Sequence, residues 1–183
     1  MISSSLFAFF VLLGFSLCSG LYIIATVQDK ESKLRHLLNF IGMKPLAYYL
    51  GNFLADIFLF TVPTLLLIAL MYPLGVKYYI INWAWAQLMA IMISFGMCLI
   101  CLTYLISFMF QNANKAFRTI GIVYLLGGTF IPNFLGSLFV GITQSITAYK
   151  IFRYLMLANP FWNLNQSMQN VMLDNLVLDL DPK

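Results

Sequence analysis

The 183-residue chain is 62% hydrophobic and 9% charged, with ten basic residues, six acidic ones and one histidine, for a net charge of +4. A soluble domain carries roughly 25% charged residues, so the composition excludes an ordinary globular enzyme and points to a bilayer. The charges avoid the longest apolar runs almost entirely.

Four such runs, at 6–27, 46–71, 83–110 and 119–140, each reach the ~20 residues that cross ~30 Å of hydrocarbon as a helix. Without water to satisfy the backbone, only helices or closed barrels span a bilayer. None of the runs shows the alternation of a barrel strand, so the fold class is all-α, a polytopic transmembrane helical bundle. The first run resembles a signal peptide around Ser16–Gly20 only superficially. No positive charge precedes it, and its apolar stretch continues to Val27.

Lys30, Lys33, Arg35 and Lys44 follow the first run, and Lys115 and Arg118 lie between the third and fourth. The opposite link, 72–82, holds only Lys77. By the positive-inside rule the N-terminus lies outside and the links 28–45 and 111–118 are cytoplasmic; which membrane this is stays open. Lys150 and Arg153 depart from that pattern.

Residues 28–41 read as an amphipathic helix. Leu34, Leu37, Leu38 and Ile41 recur at helical spacing, while Asp29, Lys30, Glu31, Lys33 and Arg35 face elsewhere. Gly42 and Pro45 are its stop signals. It is either a helix resting on the inner membrane surface or a docking helix for a cytoplasmic partner.

The second run contains Asp56 and Pro63. Asp56 falls near mid-bilayer, where an ionised carboxylate costs several kcal/mol, so it faces the bundle interior, is protonated, or has a partner. It marks either an interhelical hydrogen bond or an ion pathway; Pro63 predicts a kink. Ser94, Gly96, Thr103 and Ser107 in the third run allow close helix approach. Gly121, Gly127, Gly128, Pro132 and Gly136 predict a bent or interrupted fourth span. Beyond it, 141–175 reads as short interfacial or re-entrant helices on the outer side, broken at Asn159-Pro160. The sequon Asn165-Gln166-Ser167 is compatible with that side.

Catalytic and metal sites find little support. Cys98 and Cys101 have redox-pair spacing, yet no further ligands accompany them and they read as packing residues. Gly136–Thr143 imitates a phosphate-binding loop but has Ile142 where the lysine belongs. His36 reads as a solvated or interfacial side chain, and the carboxylates are too scattered to pair. The chain by itself is not expected to be an enzyme; it offers no catalytic, cofactor or metal site and nothing that suits nucleic acid.

Lys33-Leu34-Arg35-His36-Leu37 and Gly42-Met43-Lys44-Pro45, together with Asn52, Asp56 and Val62-Pro63 in the following span, closely resemble the membrane domain of A-subfamily ABC transporters, a type 2 exporter fold, and most of all its second membrane half. The likeness covers most of the chain and is strongest over 12–63. It implies a six-span half of which this chain supplies the second to fifth spans. The first span, a large extracellular domain, the sixth span and the nucleotide-binding domain, with its ATP and Mg, would lie on a longer polypeptide or on a partner, as would the second membrane half. It also implies that 28–41 is the coupling helix, with Glu31, Lys33, Arg35, His36 and Gly42 meeting the nucleotide-binding domain. The function expected is the transmembrane portion of an ATP-driven transporter for lipid or another amphipathic substrate. The alternatives are a structural or assembly subunit of a larger membrane complex, and an ion-coupled carrier using Asp56.

Overall fold

The computed structural model describes residues 2–34, 37, 40–73, 79, 83–143 and 146–180. Among these the chain is helical almost throughout and contains no strand. In order come α1 (Ile2–Glu31), α2 (Pro45–Met71), α3 (Ala84–Ser107), α4 (Ala113–Val123), a π-helical stretch (Tyr124–Phe130), α5 (Ile131–Thr143), α6 (Ile146–Met156) and α7 (Pro160–Leu180). The helices over Phe7–Glu31, Leu46–Met71, Ala84–Ser107 and Ala113–Leu138 are long and apolar enough to cross a membrane. The end of the bundle that carries Glu31, Lys44 and Lys115 is its basic end.

Several boundaries differ from the sequence reading. The first span does not stop at Val27, because Gln28–Glu31 continue α1, and Asp29, Lys30 and Glu31 find side-chain partners there. The third ends at Ser107, and the fourth begins at Ala113, so most of the supposed link 111–118 is helix. The breakers of the fourth span do not interrupt it. Residues 113–143 form one continuous helix in which the Gly127–Gly128 region widens into π turns, with Pro132 at the second position of α5. The phosphate-loop look-alike is helical and is no loop. α2 continues as a helix through Pro63.

α1 is the central element, packing on α3, α4, the π stretch and α7. Half of its spanning window is buried, against 17% for α2, which stands at the periphery on α3. Phe60 carries α2 inward. Its ring meets Phe15 of α1 at 5.0 Å and Phe95 of α3 at 6.2 Å between centroids. Phe95 in turn meets Phe161 of α7 edge-on at 5.3 Å, and Phe161 meets Tyr124 of the π stretch at 5.3 Å. Aromatic pairs of this geometry contribute ~0.5–1.5 kcal/mol beyond area burial.

These rings sit on glycines. A Cβ on Gly96 would lie 2.5 Å from the Phe60 ring, and one on Gly128 2.6 Å from Phe161. Gly20 and Gly136 hold Phe117 and Trp162 in the same way, each with 2.7 Å. In lipid, where apolar burial drives little association, such close approach supplies the packing.

α6 and α7 form a hairpin that dips into the bundle. Phe152 of α6 lies against Gly136, whereas Asn159 at the hairpin tip reaches the carbonyls of Gly127 and Gly128. α6 therefore descends antiparallel to α5, and α7 climbs back out. α7 is longer than the short segment expected after Asn159-Pro160, and it is no surface helix. Phe161, Leu164, Met168 and Met172 are buried in the core. Asn159 accepts from the Phe161 N–H at 3.0 Å and Asn163 donates to the Leu157 carbonyl at 2.6 Å, so the tip satisfies backbone groups with its own side chains.

Replacing Gly96 with alanine should lower the unfolding midpoint in detergent by an amount equivalent to about 1–3 kcal/mol, the usual cost of overpacking. In a G96A/F60L double variant the two losses should not add, because the clash is with the Phe60 ring. Additive losses would show that the ring is not what fills the site.

Candidate functional site

The last three residues of α1 each hold a different helix. The Tyr48 hydroxyl, in the first turn of α2, donates to the Asp29 carboxylate. The Lys30 ammonium donates to the carbonyls of Phe108 and Phe110, both at 3.0 Å. These oxygens lie at and just beyond the C-terminal end of α3, where helix carbonyls have no intrahelical partner and the dipole favours a cation. The Glu31 carboxylate accepts from the Ala113 N–H at 3.1 Å, at the first residue of α4. Asn112 makes no side-chain cap there, so Glu31 provides the acceptor, and its negative charge suits a helix N-terminus. Lys30 and Glu31 thus grip the two poles of one turn with opposite charges.

α1 reaches this turn because Phe117 lies over Gly20, which brings α4 alongside. The helix then stops at once. Ser32 still donates its N–H to the Gln28 carbonyl at 2.9 Å, but Lys33 adopts φ +56°, a left-handed conformation that a helix cannot continue through. The chain resumes helical geometry at Leu34, Leu37 and Phe40, and Ile41 donates to the Leu37 carbonyl at 3.2 Å. Gly42 at φ +83° turns it back, and Lys44-Pro45 opens α2 with proline in the first turn. Leu37, Phe40 and Ile41 are 60%, 90% and 81% exposed, an uncovered apolar surface beside the junction.

The predicted site residues divide accordingly. Glu31 is exposed and accepts from the backbone of the protein's own α3–α4 turn. Lys33 is the exposed hinge at which α1 ends, and Gly42 is the turn into α2. Arg35, His36 and Leu38 lie outside the described residues. The expected single helix over 28–41 is broken at Lys33, where α1 ends, and among the described residues beyond it Leu34, Leu37 and Phe40 are helical. Asp29, Lys30 and Tyr48 were not singled out as site residues. Their only signal was an Asp-Lys-Glu triplet at a span terminus, since Lys30's partners are 78 and 80 residues away.

Asp56 is 8% exposed and accepts a hydrogen bond from the Tyr104 hydroxyl of α3. Pro63 lines an apolar groove between α1 and α2. Cys18, Cys98 and Cys101 are free and exposed at the bundle surface. Asn165 is also reassigned. It is buried, and the nitrogen that a glycan would need donates to Asn133 at 2.6 Å, so the sequon is no acceptor in this fold. Among the described residues no cluster of His, Cys, Asp or Glu is placed to hold a metal.

Two measurements check these contacts. In E31A, amide exchange at Ala113 should accelerate about fivefold, near the ~1 kcal/mol of one net hydrogen bond, while E31Q, which keeps an acceptor, should change it less. Y104F should lower stability by about 1 kcal/mol, and adding D56L should cost little more, because the pair is then already broken.

The family described as "ABC-2 family transporter protein" matches residues 2–179. Bovine retinal-specific phospholipid-transporting ATPase ABCA4 is 24% identical over 172 residues, 93% of this chain and 8% of that protein. Rat phospholipid-transporting ATPase ABCA3 is 27% identical over 123 residues, 66% of this chain and 7% of that protein. Rat ATP-binding cassette sub-family A member 2 is 22% identical over 144 residues, 79% of this chain and 5% of that protein. The chain thus spans less than a tenth of the length of these relatives. Matched over nearly its whole length and built on four helices of spanning length, the chain belongs to the ABC-2 transporter family and is a transmembrane part of an ABC transporter.

Proposed function

We propose that this chain is the force-receiving membrane portion of an ATP-driven exporter of lipid. The observation that carries the reading is the junction at the end of α1. Asp29, Lys30 and Glu31 tie that one terminus to α2 and to both sides of the α3–α4 turn. A push on residues 32–44 would reach three spans through these contacts without deforming any of them. The exposed Leu37, Phe40 and Ile41 supply an apolar surface on which a nucleotide-binding domain would seat.

In this reading the basic end faces the cytoplasm and the N-terminus lies outside, following the excess of Lys and Arg in 28–45 and 111–118. Lys33, Arg35, His36 and Gly42 contact or shape the docking surface, while Glu31 transmits from behind it. ATP and Mg belong to the nucleotide-binding domain, and a second membrane half completes the pathway, in the same or another polypeptide. That two relatives are named for phospholipid transport supports lipid as the substrate class.

A photoreactive residue in place of Phe40, in the native membrane, tests the reading. Crosslinks to an ATP-binding polypeptide or domain are expected, with a yield that changes on adding nucleotide. Crosslinks to lipid alone would overturn it, and a protein crosslink indifferent to nucleotide would favour an assembly role. K30M should lower lipid movement several-fold while ATP hydrolysis falls less, since the contact lies between the two activities.

A further inference from the structure

Lys150 and Arg153, the two cations that the positive-inside pattern left over, occupy a defined level in the fold. Their neighbour Phe152 lies against Gly136, near the far end of the fourth span, which closes at Leu138. Gly136 is 18 residues beyond Arg118, the last cation of the basic end, in one continuous helix, roughly 27 Å at the helical rise. That is close to the ~30 Å of a hydrocarbon core, so with Arg118 at the inner interface this level lies at the opposite one.

α6 sorts its side chains accordingly. Phe152 is 4% exposed and packs edge-on against Trp162 at 5.4 Å. Lys150, Arg153 and Tyr154 share the opposite face at helical spacing, and all three are exposed. Because α6 descends toward the hairpin tip, Tyr154, Leu155 and Leu157 lie deeper than the cations; they are 73%, 70% and 54% exposed. Cations above and uncovered apolar side chains below make the arrangement of an interfacial helix turned to lipid. Two like charges at i and i+3 repel one another, and among the described residues neither has a carboxylate partner.

We infer that α6 binds the phosphate of a membrane phospholipid through Lys150 and Arg153, with the acyl chains lying along Tyr154, Leu155 and Leu157. An anion shared between the two side chains relieves their repulsion with charge-assisted hydrogen bonds. The chemistry required is a phosphate joined to a hydrocarbon tail, which separates this site from one for free anions. The inference rests on the spanning helices and the hairpin and holds whether or not the chain transports lipid.

The full transporter in nanodiscs, doped with phosphatidylglycerol carrying a photoreactive headgroup, gives a site-resolved test. Adducts should map to α6 and fall about thirtyfold in K150Q/R153Q, the scale expected for two cations at ~1 kcal/mol each near a charged membrane surface. K150R/R153K should retain them, and the unfolding midpoint of both variants should stay unchanged because neither side chain packs in the core. Unchanged α6 labelling in K150Q/R153Q would overturn the inference. So would loss of labelling in excess inorganic phosphate, which would make the pair a free-anion site.

Discussion

Helices in lipid gain little by hiding apolar side chains from one another, since acyl chains are just as apolar. Contact has to come from surfaces that fit closely. In this bundle the fit is ring on glycine, repeated between α2 and α3 at Gly96, α1 and α4 at Gly20, and α7 and the fourth span at Gly128 and Gly136. Each seat removes a Cβ and places a flat ring in its space, so the backbones approach and dispersion contacts accumulate. The continuous aromatic path from Phe60 to Tyr124 depends on those approaches. So does every polar contact between helices, because hydrogen bonds need the side chains already within reach.

The junction at Glu31 illustrates the dependence. Its contacts lie in exposed or part-exposed positions, where water competes and each is worth little in isolation. They matter as geometry. With Phe117 seated over Gly20, the end of α1 is held beside the α3–α4 turn, and a lysine and a glutamate meet the helix poles that suit their charges. The left-handed Lys33 then releases the chain from the rigid span. Stiff helix, bound terminus and exposed apolar residues follow one another between Asp29 and Ile41.

The spans were legible because length and apolarity are one-dimensional properties. The segment 28–45 and Asp56 were legible as unusual, and the family resemblance carried by Lys33–Pro45 is matched by the family found. Contacts between distant residues were not legible. The charge of Glu31 was visible in the sequence, whereas its partner Ala113, 82 residues away, was not. Asn165 looked like a glycan acceptor because the triplet is local, whereas Asn133 lies a helix away. Cys98 and Cys101 read as packing residues, and the sequence does not say whether they face helix or lipid, because in a bilayer an apolar neighbourhood does not tell inside from outside. Glycines 127 and 128 announced irregularity without saying that π winding would absorb it.

That winding fixes the rotational phase of the far half of the span. A π turn accommodates about one more residue than an α turn, so everything beyond it is turned by roughly 100° relative to a uniformly wound helix. In the register that results, Asn133 faces Asn165 and Gly136 faces Trp162 and Phe152. Uniform winding would point both toward other neighbours. The hairpin tip, through Asn159 on the carbonyls of Gly127 and Gly128, sits at the winding that separates the two phases of one helix.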